Sequence, residues 1–172
     1  LSFVLVAAMA LLLAGGLRAQ DLAMDERAQA VAHTVFGIVS YTRWPNDPPL
    51  VRLCVIGPTE YADELLRAVA APGTRKTIVR RMYLEAPQLL ADCDGVYVGM
   101  VGEQAWRKLM ARLDMQPLLS ISEQPQLCSV GGMFCLDVRA QGVSFDVNMD
   151  SVARSGVRVN PRVLQLARRK GG

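Results

Sequence analysis

Four cysteines carry most of the reactive chemistry that this 172-residue chain could offer: Cys54, Cys93, Cys128 and Cys135. The last two bracket the stretch "CSVGGMFC", with a glycine pair between them. Thiols in such a pattern can ligate a soft metal, exchange with other thiols, or close a staple. The metal reading lacks partners, because His33 is the only histidine, no C-x-x-C occurs, and C-x6-C is not a zinc-ligand spacing. No metal or cofactor is therefore expected. Thiol-exchange catalysis usually wants C-x-x-C and a lowered thiol pKa, and that spacing is absent. A staple requires an oxidising compartment.

The compartment is written at the other end of the chain. "LSFVLVAAMALLLAGGLRAQD" holds no charge before Arg18 and is almost wholly apolar from Leu1 to Gly16. Residues 1–19 read as a secretory signal clipped at its N-terminus, with cleavage after Ala19. Leu17 suits the third position before that cut poorly, so an uncleaved membrane anchor is the alternative. Either reading places residues 20–172, expected to form one domain, outside the cytoplasm. In an exported chain four cysteines default to disulfides, with three possible connectivities. The Gly131-Gly132 bend can fold Cys135 back on Cys128, while Cys54 lies in an expected strand and Cys93 just before another. The pairing 54–93 with 128–135 needs the least contrivance. Loop-closure entropy assigns roughly 4 kcal/mol to the long loop and roughly 2.5 kcal/mol to the short one.

Other chemistry finds little support. There is no G-x-S-x-G elbow, H-E-x-x-H pair or Walker loop. Gly95, Gly99 and Gly102 straddle a strand-to-helix turn, but Glu103 follows at once and would repel a pyrophosphate. "PGTRKT" is a basic glycine turn without phosphate-cradling spacing. His33 reads as a partly exposed helix residue. Asp63-Glu64 and Asp92-Asp94 read as solvation, and Met100, Met110, Met115, Met133 and Met149 as core filling rather than a soft-metal set. Without Arg18 the 19 basic residues become 18 against 16 acidic ones, a near-neutral balance that does not suggest a nucleic-acid binder. From Ser151 onward Arg154, Arg158, Arg162, Arg168, Arg169 and Lys170 meet no acid. That run is either a solvated face with a basic tail or a docking patch for an acidic partner or lipid headgroups.

The elements that must position these residues follow from periodicity. Residues 26–43 carry Val31, Val35, Ile38 and Val39 at helical spacing and stop at Pro45. Residues 51–57, 77–83, 95–102 and 117–122 read as strands. Between them, Thr59 can cap a helix bearing Ala62, Leu65, Leu66 and Val69. A short helix at best spans Pro87 to Ala91, and a longer one aligns Trp106, Leu109, Met110 and Leu113. Strands alternating with amphipathic helices predict an α/β three-layer sandwich, a mostly parallel central sheet with helices on both faces. "MFCLDVRAQGVSFDVNMD" then alternates with period two around a glycine turn, an antiparallel C-terminal hairpin. It sets Phe134, Leu136 and Val138 on one face with Val143, Phe145 and Val147. The other face, with Met133, Cys135, Asp137, Arg139, Ser144, Asp146 and Asn148, is expected to be wet. Asn148 or Asp150 caps a short helix ended by Gly156, and Pro161 opens the last one.

Three stretches carry a resemblance: "VFGIVSYTRWP" with "VRLCVIGP" (35–45 and 51–58), "PLLSISE" (117–123), and "GGMFCLDVRAQGVSFDVNMDSVARSGVRVNPRVLQLAR" (131–168). Together they resemble the YfiR family of periplasmic regulators, over nearly all of residues 20–172. The resemblance implies a non-enzymatic periplasmic α/β sandwich, often dimeric, that represses an inner-membrane diguanylate cyclase of the YfiN type through its periplasmic sensor region. It also implies sequestration by an outer-membrane lipoprotein of the YfiB type, and hence control of cyclic di-GMP, exopolysaccharide, biofilm and motility. The four cysteines stand where two-disulfide members of that family have them. The partner surface expected from this reading comprises Ser129, Asp146, Arg154 and Arg158, with Phe134 and Val152 as apolar contributors. Phe134 qualifies only if the buried hairpin face is incompletely covered. A periplasmic small-ligand-binding protein is the alternative, using the crevice at the carboxyl ends of the parallel strands.

Overall fold

The computed structural model describes residues 23–68, 74–113 and 115–168. The signal segment with its cleavage point, Val69, Arg169 and Lys170 lie outside them. Residues 23–41 are helical (α1), and the stripe of Val31, Val35, Ile38 and Val39 is completely buried. Polar residues on this helix bond locally: the hydroxyls of Thr34 and Ser40 donate to carbonyls four residues back. The helix stops short of the expected residue 43 because β1 (Thr42–Arg43) peels away to pair antiparallel with β8 (Arg158–Val159). Two-residue strands have no readable period, so this small sheet had no signal in the sequence.

The main sheet contains β2 (Val51–Ile56), β3 (Thr77–Met82), β4 (Gly95–Val98), β5 (Leu119–Ser122), β6 (Phe134–Arg139) and β7 (Gly142–Val147), in the order β3-β2-β4-β5-β6-β7. All neighbours are parallel except the β6–β7 hairpin. The hairpin extends the sheet, since β6 runs parallel to β5 with Ile121 beside Phe134. Alternation explains the continuous apolar strands, because both faces are covered. Val51, Leu53 and Val55 of β2 pack with α1 and with α2 (Ala62–Arg67), whereas Cys54 and Ile56 pack with α3 (Leu89–Asp92) and α4 (Glu103–Leu113). The expected three-layer sandwich is the fold. α5 (Met149–Arg154) is capped by Asn148, whose side chain accepts from the Ser151 N–H. Pro161 opens a 3-10 turn before α6 (Leu164–Arg168).

The strands end in loops that clamp one another. Gly99 N–H donates to the Ile56 carbonyl at 3.0 Å, and Met100 N–H donates to the Pro58 carbonyl at 2.6 Å. A Cβ on Gly99 would lie 1.9 Å from that same carbonyl oxygen, a backbone atom with no freedom to swing aside. Gly99→Ala is therefore expected to cost about 2–3 kcal/mol through forced separation of these loops. Urea denaturation checks this, and an unchanged midpoint would show that the loops yield freely.

Candidate functional site

Both staples form as the cysteine arithmetic suggested, Cys54–Cys93 with Cα atoms 5.9 Å apart and Cys128–Cys135 with 5.7 Å. They share one face of the sheet, the α4 side, because Cys54 and Cys135 occupy the same pleat phase of their strands. The first ties β2 to the segment entering β4. The second ties a 3-10 turn (Pro125–Val130) to β6, and the glycine pair makes that closure possible. Gly131 has φ +101°, a left-handed conformation that side chains resist. A Cβ on Gly132 would press on Cys135 Sγ at 3.0 Å and on Trp106 at 3.1 Å. Trp106 covers the bridge and donates its indole N–H to the Val130 carbonyl at 3.0 Å.

The hairpin register pairs Phe134 with Val147, Leu136 with Phe145 and Val138 with Val143, as the alternation required. Phe134 has 0% exposure and packs edge-to-face on Phe145 at 5.7 Å. Its face is completely covered at that position, so its side chain supports the surface from below and cannot touch a partner of this fold. The opposite face is only half wet. Met133 and Cys135 are both buried, Cys135 in the cluster of α4 and the 3-10 turn, while Arg139 and Asp146 are exposed. Ser129 is exposed, with its hydroxyl donating to the Gln126 carbonyl. Cys135 lies opposite Asp146, so Ser129 and Asp146 are brought to the second staple from either side. Arg154 is exposed at the end of α5, whose Val152 faces the core. Arg158 is exposed on β8, facing Arg43 across the small sheet. Among the described residues, Asp146, Arg154 and Arg158 have no ion-pair partner. Most other arginines do: Arg52, Arg67, Arg75, Arg80, Arg81, Arg107 and Arg139 are all paired.

Two buried carboxylates that sequence reasoning passed over prove central. Asp94 is not solvation. It is 6% exposed and takes a two-pronged bond from Arg52 at 3.0 Å on each oxygen, plus the Arg52 N–H at 2.8 Å. Its backbone carbonyl receives the Trp44 indole N–H at 2.7 Å, which locks the Trp44-Pro45 turn onto the sheet. Arg75 lies over the Trp44 ring and pairs with Asp47. Asp92, by contrast, is a half-exposed partner of Arg80.

Glu123 is the second. Its carboxylate accepts from Glu60 N–H at 2.8 Å, Tyr61 N–H at 2.9 Å and Tyr97 O–H at 2.8 Å. Thr59 was expected to cap α2, but its hydroxyl accepts from Arg81 and the two amides are satisfied by Glu123. Burial first, then the Glu123 charge and hydrogen bond, hold the Tyr97 phenol far above its ordinary range, so it remains a donor. Tyr61, half-facing Glu60, is pushed up to about 12 by burial and by that bond. Next to Glu123, the Gln124 side chain accepts from Val101 N–H at 3.0 Å. Glu123 thus clamps the loop after β2, and Gln124 the loop after β4. In open parallel sheets ligands sit where strand order reverses, outside the carboxyl ends, and here that point lies between β2 and β4. The chain's own carboxylate meets the amides that a bound anion would use. In the turn weighed for a phosphate at Gly95, Gly99 and Gly102, it is the neutral Gln124 side chain that meets the Val101 amide. A cleft of about 580 Å³ does open beside it, between the end of β3 and the start of α4, lined by Gly57, Pro58, Arg81, Tyr83, Val101 and Ala105.

His33 is exposed on α1. No helix among the described residues is long and apolar enough to cross a membrane. Residues 28–168 match the model of the YfiR/HmsC-like family, most of the chain and all of the sheet. That family comprises periplasmic regulators, rather than enzymes, of diguanylate cyclase signalling.

Proposed function

Because this chain belongs to the YfiR/HmsC-like family of diguanylate cyclase regulators, we propose that it acts as a repressor, binding the periplasmic sensor region of an inner-membrane cyclase. The bound region is held where the cytoplasmic catalytic heads cannot pair productively. An outer-membrane lipoprotein of the YfiB type relieves repression by sequestering the regulator, and the working unit is a homodimer. One observation carries this reading: among the described residues, Asp146, Arg154 and Arg158 are exposed and without an ion-pair partner, whereas seven other arginines are paired with nearby carboxylates. Free charges around a stapled, well-packed patch suit electrostatic docking, where rim charges tune association and selectivity. Ser129 and the turn held by Cys128–Cys135 complete the surface.

Intracellular cyclic di-GMP tests the reading directly. A strain lacking this chain should show a rise that the complete chain reverses, while a chain carrying Arg154→Glu and Arg158→Glu should fail to reverse it. Each reversal is expected to weaken binding about tenfold with a change in stability of only about 0.5 kcal/mol. Unchanged cyclic di-GMP on deletion would remove cyclase repression from this protein. Full complementation by the double reversal would move the docking surface elsewhere.

The cleft of about 580 Å³ favours a second reading, a small-ligand-binding protein, since its size suits a metabolite. Ligand-dependent melting shifts that are lost on changing Arg81 would support it.

A further inference from the structure

A second, smaller cavity lies on the other side of α4, between α4, β5, the Gly131 bend and α5. Its volume is about 110 Å³, well below the roughly 300 Å³ at which drug-sized pockets begin, so any occupant is a fragment of a few heavy atoms. Its walls are apolar, formed by Met110, Leu113, Leu118 and Met133, with exposed Met115 at the margin. Three of the five methionines that looked scattered in sequence meet here.

The polar groups are fewer and better defined. Ser151 is 7% exposed, yet its hydroxyl oxygen is buried with no hydrogen-bond partner among the described residues. Such an orphan is uncommon in a folded protein, and it sits in the wall of a cavity. Ser120, 2% exposed, accepts from Met133 N–H at 3.1 Å and keeps its own O–H to donate. Ser155, also in the wall, is already satisfied, donating to Val152 O and accepting from Val157 N–H. Arg154 stands in the lining as the one cation, exposed and without a hydrogen-bond or ion-pair partner among the described residues.

We propose that this cavity is a binding site for a short-chain monocarboxylate. The carboxylate would take a two-pronged bond from the Arg154 guanidinium and bonds from the Ser151 and Ser120 hydroxyls, with a tail of about two or three carbons against the methionines and leucines. One arginine neutralises one charge. A phosphate dianion would leave a charge uncompensated beside apolar walls, and a neutral alcohol would leave Arg154 unused. Arg154 also belongs to the proposed docking surface, whereas Val152, expected there as an apolar contributor, is buried in the core, so an occupant bears on the surface through Arg154.

The test uses the protein purified from the periplasm of an expressing strain, titrated with sodium butyrate and followed by NMR of the methionine methyl groups. Saturable shifts at Met110 and Met133 are expected, with a dissociation constant on the order of 1 mM. Affinity should fall about tenfold in Arg154→Ala and several-fold in Ser151→Ala, as lost charge-assisted bonds require. Ser151→Ala should melt no lower than the unaltered protein, because the hydroxyl it loses has no partner. Lack of saturation, an equal response to 1-butanol or phosphate, or unchanged affinity in Arg154→Ala would each overturn the site. So would a protein that ignores butyrate but loses cyclase binding in Ser151→Ala, since the cavity would then be a socket for the partner's side chain. None of the butyrate measurements depends on a cyclase, so failure here leaves the repressor reading standing.

Discussion

Glu123→Ala is expected to remove about 3–5 kcal/mol of stability, a large share of what keeps a domain folded. Truncation strands three donors at once, the amides of Glu60 and Tyr61 and the Tyr97 hydroxyl. Each unmet buried donor costs about 1–3 kcal/mol, against a total stability of about 5–15 kcal/mol for a domain. Tyr97 has 0% exposure and cannot turn to water. Glu123→Gln keeps the volume but replaces one acceptor by an amide donor facing donors, so about 2 kcal/mol is expected. Tyr97→Phe, which deletes a donor together with its need, should cost less than either. Urea titrations of the three variants give the order directly. A Glu123→Ala protein as stable as the unaltered one would mean that water or a relaxed α2 start satisfies those amides.

The second large effect separates the two staples. Replacing both cysteines of Cys54–Cys93 by alanine should cost about 4 kcal/mol, and replacing both of Cys128–Cys135 about 2.5 kcal/mol, because the closed loops span 39 and 7 residues. The order for function is expected to reverse. The short staple fixes the turn that presents Ser129 beside Asp146, so its loss should release cyclic di-GMP control even at a temperature where the fold persists. Cys54 and Cys93 lie in the core beneath α3 and α4, so their loss should act through stability alone. Equal stability losses for the two bridges would contradict the loop-closure account. Intact repression without Cys128–Cys135 would remove the turn from the docking surface.

How far the sequence could be read depended on the range of the interaction. The α1 stripe, the Trp106–Leu113 face of α4 and the hairpin pairing of Phe134 with Val147 came through intact, since each is a period visible within a few residues. The extension of the sheet by β6 along β5 is decided by contacts between separate segments, and the pairing of β1 with β8 spans more than a hundred residues. Thr59 was a sound local candidate for the α2 cap, but a carboxylate 62 residues away from Tyr61 takes that place. Asp94 looked like surface charge because its neighbour Asp92 is, while its own partner, Arg52, lies 42 residues back on β2. The exposure of Asp146 was legible from hairpin alternation and that of Arg154 and Arg158 from the basic run, whereas Ser129 sits on a turn with no such period. The burial of Phe134 was legible in the same alternation, and the covered face decided it.

By itself, then, the sequence determined the layered α/β plan, because alternation and helical spacing are local properties written at fixed intervals. It favoured, among three connectivities, the two staples that form, and the resemblance of residues 35–45, 51–58, 117–123 and 131–168 pointed to the family. Only the tertiary structure decided that Glu123 and Gln124 tie down the loops at the strand ends, that Asp94 anchors Arg52 and Trp44, and that Ser151 lines a cavity with Arg154 unpaired among the described residues. Those are meetings of polar groups from distant segments. A buried polar group takes whatever partner the packed chain brings within hydrogen-bond reach, and no interval along the sequence encodes that partner.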